Sequence, residues 1–283
     1  MAKRLQDRVV VVTGGGSGIG RGTCLRAAQE GALVTVADIR IELARSVVQE
    51  IVADGGLAIA VACDVAVEDQ VQGLVQATLD EFGSLWGMVA NAGTAGSGWI
   101  HETTMADWQF VLGVNLTGPF LCAKYSLPHM MADGGSFVAT SSIAGSVVGA
   151  GGAAASYTVS KHGVLGLVKQ IAVDYGQYGI RANAIQPAAV QGTRLAAHAA
   201  EDQAKATTPP AQLPRPQSLA ANSSSRQVSG GIWRDHCFPV VGRCGIYNRC
   251  QRASRRRLPG HLAEALGKET PCLRYIKPVR SSL

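Results

Sequence analysis

The chain has 283 residues, enough for one large α/β domain with an extension, and 47% of them are hydrophobic. Its net charge of +6 invites a nucleic-acid partner, but residues 1–204 carry 12 Lys/Arg against 17 Asp/Glu, while residues 205–283 carry 14 against 3. The basicity belongs to the tail, which argues against nucleic acid as a partner of the main body. No apolar run approaches a membrane span, and Val9–Val12 is too short for a signal-peptide core, so a cytoplasmic protein without a membrane partner is expected.

Arg8–Thr13 is a β-branched run, broken by Gly14-Gly15-Gly16-Ser17-Gly18-Ile19-Gly20 and followed by a helical stretch to Glu30. Strand, glycine loop and helix together make a dinucleotide-binding context. Small residues let the backbone approach a pyrophosphate, and the helix N-terminus offers free N–H groups and a positive dipole end. Gly14, Ser17, Gly18, Ile19 and Gly20 are therefore candidate cofactor-binding residues. A second strand, Leu33–Ala37, ends in Asp38. A carboxylate about twenty residues past the glycines accepts both ribose hydroxyls of NAD and repels the 2′-phosphate of NADP. The same residue could also cap the helix that starts at Arg40.

Helix and strand keep alternating: helix 40–54, strand 57–62, helix 67–82, strand 86–90, a long helix near 104–131, strand 136–141, helix 156–175 and strand 180–186. That pattern predicts a doubly wound parallel sheet with helices on both faces and ligands at the carboxyl ends of the strands. Asp64-Val65, Asn91-Ala92-Gly93, Ser142 and Pro187 all follow such strand ends. In Tyr157-Thr158-Val159-Ser160-Lys161, helical spacing puts the Tyr157 hydroxyl and the Lys161 ammonium on one face. An ammonium beside a phenol favours the phenolate, so Lys161 is expected to lower the Tyr157 pKa and fit it for general-base work. Cys24, Cys63 and Cys122 lie in apolar segments and read as reduced core residues. Cys237, Cys244, Cys250 and Cys272 lack C-x-x-C spacing, so no metal site is expected.

Residues 1 to about 200 resemble the short-chain dehydrogenase/reductase family in its one-domain form. The matching motifs are Thr13-Gly14-x-x-x-Gly18-Ile19-Gly20, Asp64-Val65, Asn91-Ala92-Gly93, Asn115, Ser141-Ser142, Tyr157-x-x-x-Lys161 and Ile180-Arg181-x-Asn183. The resemblance implies a Rossmann fold and an NAD-dependent oxidoreductase, with NADP the disfavoured cofactor, acting on a small secondary alcohol or its ketone. It makes Tyr157 the catalytic base, has Ser142 bond the substrate oxygen, and has Lys161 hold the nicotinamide ribose. Asn115 would kink its helix and hold a water that relays protons from Lys161; a polar residue bonded locally within its helix is the plainer reading. By the same resemblance Pro187, Val190 and Thr193 join the cofactor-binding set. The family also implies a homodimer through helices 104–131 and 156–175.

Three departures stand out. The interval from Ser142 to Tyr157 is 15 residues, about two longer than the family's common spacing; the family's Pro-Gly is Pro187-Ala188; and its following threonine lies one position late, at Thr193. Past about residue 205 the resemblance stops. Residues 201–283 read as an irregular basic tail rich in Pro, Ser and Arg, without the seventh strand that the family ends on. Disorder and a nucleic-acid arm are two readings of it; a shifted reading frame is the third. Back-translated and read one base later, Cys237–Pro259 is compatible with AFLSSDAAEYITGANVPVDGGFL, an ending of the family's kind. Two further functions stay open: an NADPH-dependent ketoreductase acting on acyl-carrier-protein substrates, and a nucleotide-binding remnant without turnover.

Overall fold

The computed structural model describes residues 3–96, 98–147, 155–188 and 190. They lie within Met1–Val241, one of the two units into which the chain divides; the other, Gly242–Leu283, lies outside the described residues. In chain order the elements are β1 (Val9–Thr13), α1 (Gly18–Gln29), β2 (Leu33–Asp38), α2 (Ile41–Ala53), β3 (Leu57–Ala62), α3 (Glu68–Phe82), β4 (Gly87–Ala90), α4 (Met105–Leu112), α5 (Gly118–Ser126), β5 (Gly135–Thr140), α6 (Ala155–Tyr175) and β6 (Ile180–Ile185). The strands form one parallel sheet in the order β3-β2-β1-β4-β5-β6. The order reverses between β1 and β4, so the switch point lies where their carboxyl ends diverge.

The sheet is buried on both faces at its centre, which is why its strands read as continuous apolar runs. Val9, Val10, Val11 and Val12 are each at most 1% exposed. Val11 packs with Leu74, Met88 and Phe137 on one face. Val10 and Val12 pack with Val34, Val36, Val47 and Ile51 on the other. Each such side chain contributes about 1.5–3 kcal/mol by leaving water. The helices supply matching stripes: Ala44, Val47 and Ile51 on α2, and Val71, Leu74, Val75 and Thr78 on α3. Glu68 and Asp69 complement the dipole at the start of α3, and Gly83, at φ 72°, ends it in the left-handed conformation.

The long helix expected near 104–131 runs from Met105 to Met130, with its regularity broken around Asn115, where a kink was expected. Thr104 caps α4 by accepting from the Asp107 N–H at 3.1 Å. After Leu112 a π-helical turn, Gly113–Thr117, contains Asn115 and precedes α5, and a 3-10 turn at Leu127–Met130 follows. The extra residue of a π turn re-aims the side chain it carries. Among the described residues β6 is one edge of the sheet and β3 the other. The expected absence of a seventh strand, and the tail with its four cysteines, fall outside the described residues.

Candidate active site

The glycine loop is shaped first by its own packing. Gly14 (φ 61°) and Gly18 (φ 52°) adopt left-handed conformations. A Cβ at Gly14 would lie 2.9 Å from the Ala92 Cα, and one at Gly20 would lie 2.0 Å from the Gly14 carbonyl oxygen. The glycines thus let the loop sit against Asn91-Ala92 while α1 starts directly over it. Ser17 precedes α1 in an extended conformation and its side chain makes no capping bond. The first-turn N–H groups of α1 therefore suit an anion such as a pyrophosphate.

Asp38 ends β2 only 5% exposed. Its Oδ2 accepts from the Gly16 N–H and its Oδ1 from the Arg40 N–H, both at 3.0 Å, and the Arg40 Nε lies 3.7 Å from Oδ1. The carboxylate thus both caps the approach to α2 and ties it to the glycine loop, beside the α1 N-terminus. Asp64, past β3, accepts from the Ala66 N–H at 2.9 Å and donates its own N–H to the Gln70 Oε1 at 2.8 Å. Val65 is buried against Gly118 of α5, where a Cβ would lie 2.8 Å from the Val65 Cγ2.

Asn91 fastens three strand ends together. Its Nδ2 donates to the carbonyls of Thr13 (3.0 Å) and Gly14 (3.3 Å), and its Oδ1 accepts from the Thr140 hydroxyl at 3.1 Å. The Thr13 hydroxyl accepts from the N–H groups of Asn91 (3.0 Å) and Ala92 (3.1 Å). Sequence reasoning placed Thr13 in the glycine-loop motif without a role of its own and missed Thr140 as a site-building residue. The available signal was their position, a buried or half-buried hydroxyl closing a strand just before the glycine loop or before Ser141-Ser142.

Ser142 follows β5 and caps the short turn Ile143–Gly145, accepting from the Ala144 N–H at 3.2 Å. Its hydroxyl also acts on Tyr157, opposing the rise that burial gives the Tyr157 pKa. Lys161 is 3% exposed; its Nζ donates to the Thr140 carbonyl at 2.8 Å and lies 5.6 Å from the Tyr157 ring centroid. Ser141 anchors the same turn of helix by donating to the Lys161 carbonyl at 2.7 Å. The Ile143 N–H donates to the Pro187 carbonyl at 3.1 Å, and the Ser141 N–H to the Ile185 carbonyl at 2.9 Å. Residues 141–143 are thereby fixed between α6 and the exit of β6.

The electrostatics correct one expectation. Tyr157 is not lowered by Lys161 here: burial raises its pKa, opposed by the Ser142 hydrogen bond. Burial likewise pulls Lys161 down to about 8. Away from water the charged form of each group is disfavoured, so phenolate and ammonium are penalised together.

Asn115 is fully buried. Its Oδ1 accepts from the Thr94 N–H at 2.8 Å, and its Nδ2 donates to the Thr94 carbonyl at 2.9 Å and to the Ser160 Oγ at 3.2 Å. Both amide hydrogens are committed, and the bonds run to another loop and another helix rather than to its own turn. A Cβ on Gly93 would lie 3.3 Å from the Asn115 Oδ1 and 3.5 Å from the Lys161 Nζ, so the three residues converge. Val190 packs, half-buried, on the cluster containing Val89 and Ile185. Thr193 lies outside the described residues. Cys24, Cys63 and Cys122 are free and buried, with their thiols pushed up by burial. Among the described residues no cluster could hold a metal ion, and no helix is long and apolar enough to cross a membrane.

The glycine loop, the α1 N-terminus and Asp38 fit a dinucleotide, and Ser142, Tyr157 and Lys161 meet at the same end of the sheet. Comparison with known proteins agrees. A family described as short chain dehydrogenase matches residues 8–204. The chain is 42% identical over 194 residues, 68% of itself and 76% of the relative, to a 2,5-dichloro-2,5-cyclohexadiene-1,4-diol dehydrogenase of Sphingobium indicum. It is 36% identical over 222 residues, 78% of itself and 87% of the relative, to a cyclohexanol dehydrogenase of Acinetobacter. Among solved structures, that of levodione reductase superposes with a TM-score of 0.64 at 38% identity, covering 68% of this chain and 75% of the other. Members of this family are oxidoreductases that use a nicotinamide cofactor on small molecules bearing a secondary alcohol or its ketone. The chain belongs to the short-chain dehydrogenase family.

Proposed function

We propose that this protein is an NAD-dependent dehydrogenase of a secondary alcohol borne on a six-membered carbocycle, working reversibly on the ketone. The observation that carries the chemistry is the convergence of Ser142, Tyr157 and Lys161, with the Lys161 Nζ 5.6 Å from the Tyr157 ring centroid and bonded to the Thr140 carbonyl just before Ser141-Ser142. Tyr157 takes the hydroxyl proton in oxidation and returns it in reduction, and Ser142 holds the substrate oxygen. Lys161 would hold the nicotinamide ribose. The bound nicotinamide supplies the hydride acceptor. The α1 N-terminus would hold its pyrophosphate and the Asp38 carboxylate its adenosine ribose, which favours NAD over NADP. Asp64-Val65, Asn91-Ala92-Gly93 and the Pro187–Val190 segment would line the rest of the cofactor. The carbocycle rests on the names of the two dehydrogenases above and on exposed apolar side chains just past Ser142: Ile143 is 49% and Val147 56% exposed.

Exposed Phe110, Phe120, Val159 and Val173 on α4, α5 and α6 support a homodimer through these helices. For the tail, the shifted frame remains our reading, and the codons of Cys237–Pro259 decide it. Function is tested by following nicotinamide absorbance with cyclohexanol and either NAD or NADP. Turnover with a preference for NAD is expected; a preference for NADP, or no turnover of any secondary alcohol, would overturn the assignment.

A further inference from the structure

Ser160, 0% exposed in the first turns of α6, donates its hydroxyl to the Tyr157 carbonyl at 2.7 Å. It also accepts from the Asn115 Nδ2 at 3.2 Å. Asn115 in turn grips both backbone groups of Thr94. A continuous chain of bonds therefore runs from the loop after β4, through the π turn between α4 and α5, to the peptide group of Tyr157. Three separately folded elements are joined by side chains with no solvent access.

We propose that Ser160 is a positioning residue, which, through Asn115, fixes the direction in which α6 presents the Tyr157 hydroxyl to Ser142. In a helix a carbonyl ordinarily serves the N–H four residues on; a serine hydroxyl bonding back to a carbonyl one turn earlier bends the helix locally. Here the bond from Ser160 spans the turn between Tyr157 and Lys161, the two residues whose relative direction matters. The π turn has a matching reason to exist, since it places the Asn115 amide where it reaches Thr94 and Ser160 together. Small angular errors at a reacting group cost large factors in rate without weakening ground-state binding. Ser160 touches neither substrate nor cofactor in this scheme, which rests on Tyr157 being the proton carrier.

The test is Ser160→Ala, which favours the helix and removes only the hydroxyl. We expect kcat for cyclohexanol oxidation to fall about tenfold, with KM for NAD and alcohol within about twofold of wild type. The acid limb of the kcat profile should move to higher pH, because a misaligned Ser142 bond no longer opposes the effect of burial on Tyr157. A readout free of turnover is the NMR resonance of tyrosine labelled at Cζ, assigned to Tyr157 by its loss in Tyr157→Phe. At pH 8 it should shift in Ser160→Ala. Full kcat with an unmoved resonance overturns the proposal, as does a loss of kcat with unchanged pH profile and resonance. If the wild type turns over no alcohol, the proposed function fails and the resonance alone decides the role of Ser160.

Discussion

Replacing Lys161 with methionine tests the site's electrostatics without a substrate. The ammonium is 3% exposed, and burial lowers its pKa from 10.5 to about 8. At 1.36 kcal/mol per pH unit, holding that charge at neutral pH costs the folded state about 3 kcal/mol. Below pH 8 both folded and unfolded chains are protonated and the cost is fully present. Between 8 and 10.5 the unfolded chain still binds the proton that the folded chain has released, so stability rises with pH. Lys161→Met has no such group. Methionine relieves the charge but leaves the Thr140 carbonyl without its 2.8 Å donor, a loss of about 1–3 kcal/mol. At pH 7 the variant should therefore be as stable as wild type or up to about 2 kcal/mol more stable. Urea unfolding at pH 7, 8, 9 and 10 should show the wild type gaining about 2–3 kcal/mol on the variant across that range. A difference that stays flat with pH would mean that Lys161 keeps an ordinary pKa in the fold, and the account of the buried ammonium would be wrong.

Because burial holds Tyr157 in its phenol form, the alcohol-oxidation rate should rise as pH increases above neutral, and ketone reduction, which needs the proton, should fall; rates measured in both directions across pH 6–10 check this. Asp38→Ser should narrow the preference for NAD over NADP by at least about tenfold in kcat/KM, and should also cost about 1 kcal/mol of stability by freeing the N–H groups of Gly16 and Arg40. An unchanged cofactor ratio would contradict the ribose role. Ser126 is buried in α5 with no partner for its hydroxyl among the described residues, so Ser126→Ala should leave stability unchanged or raise it by up to about 1 kcal/mol. A thermal melt showing a large loss would reveal a bond not seen here.

The strands were legible because each is a short apolar run punctuated by Gly, Asp or Asn, and a parallel sheet buried on both faces requires that composition. The site motifs were legible because they stand at the carboxyl ends of those strands. The resemblance implied a kink at Asn115, but its form was not legible: the π turn and the Asn115 bonds to Thr94, 21 residues away, and to Ser160 are encoded by no local periodicity. The strand-end locks of Thr13 and Thr140 depend on β4 lying between β1 and β5, which is known only once the strand order is known. Spacing put Lys161 on the Tyr157 face correctly but said nothing of how deeply both are buried. The sign of the Tyr157 shift follows from that depth and not from the spacing.

The central claim is that Tyr157 carries the proton, and Tyr157→Phe tests it most directly. Phenylalanine keeps the ring beside Lys161 and removes only the hydroxyl proposed to carry the proton. Steady-state oxidation of cyclohexanol and calorimetric titration with NAD should be run on the same preparations. The account predicts that turnover falls to below about a hundredth of wild type while NAD affinity changes less than about threefold. A variant that retains more than about a tenth of the activity would contradict it.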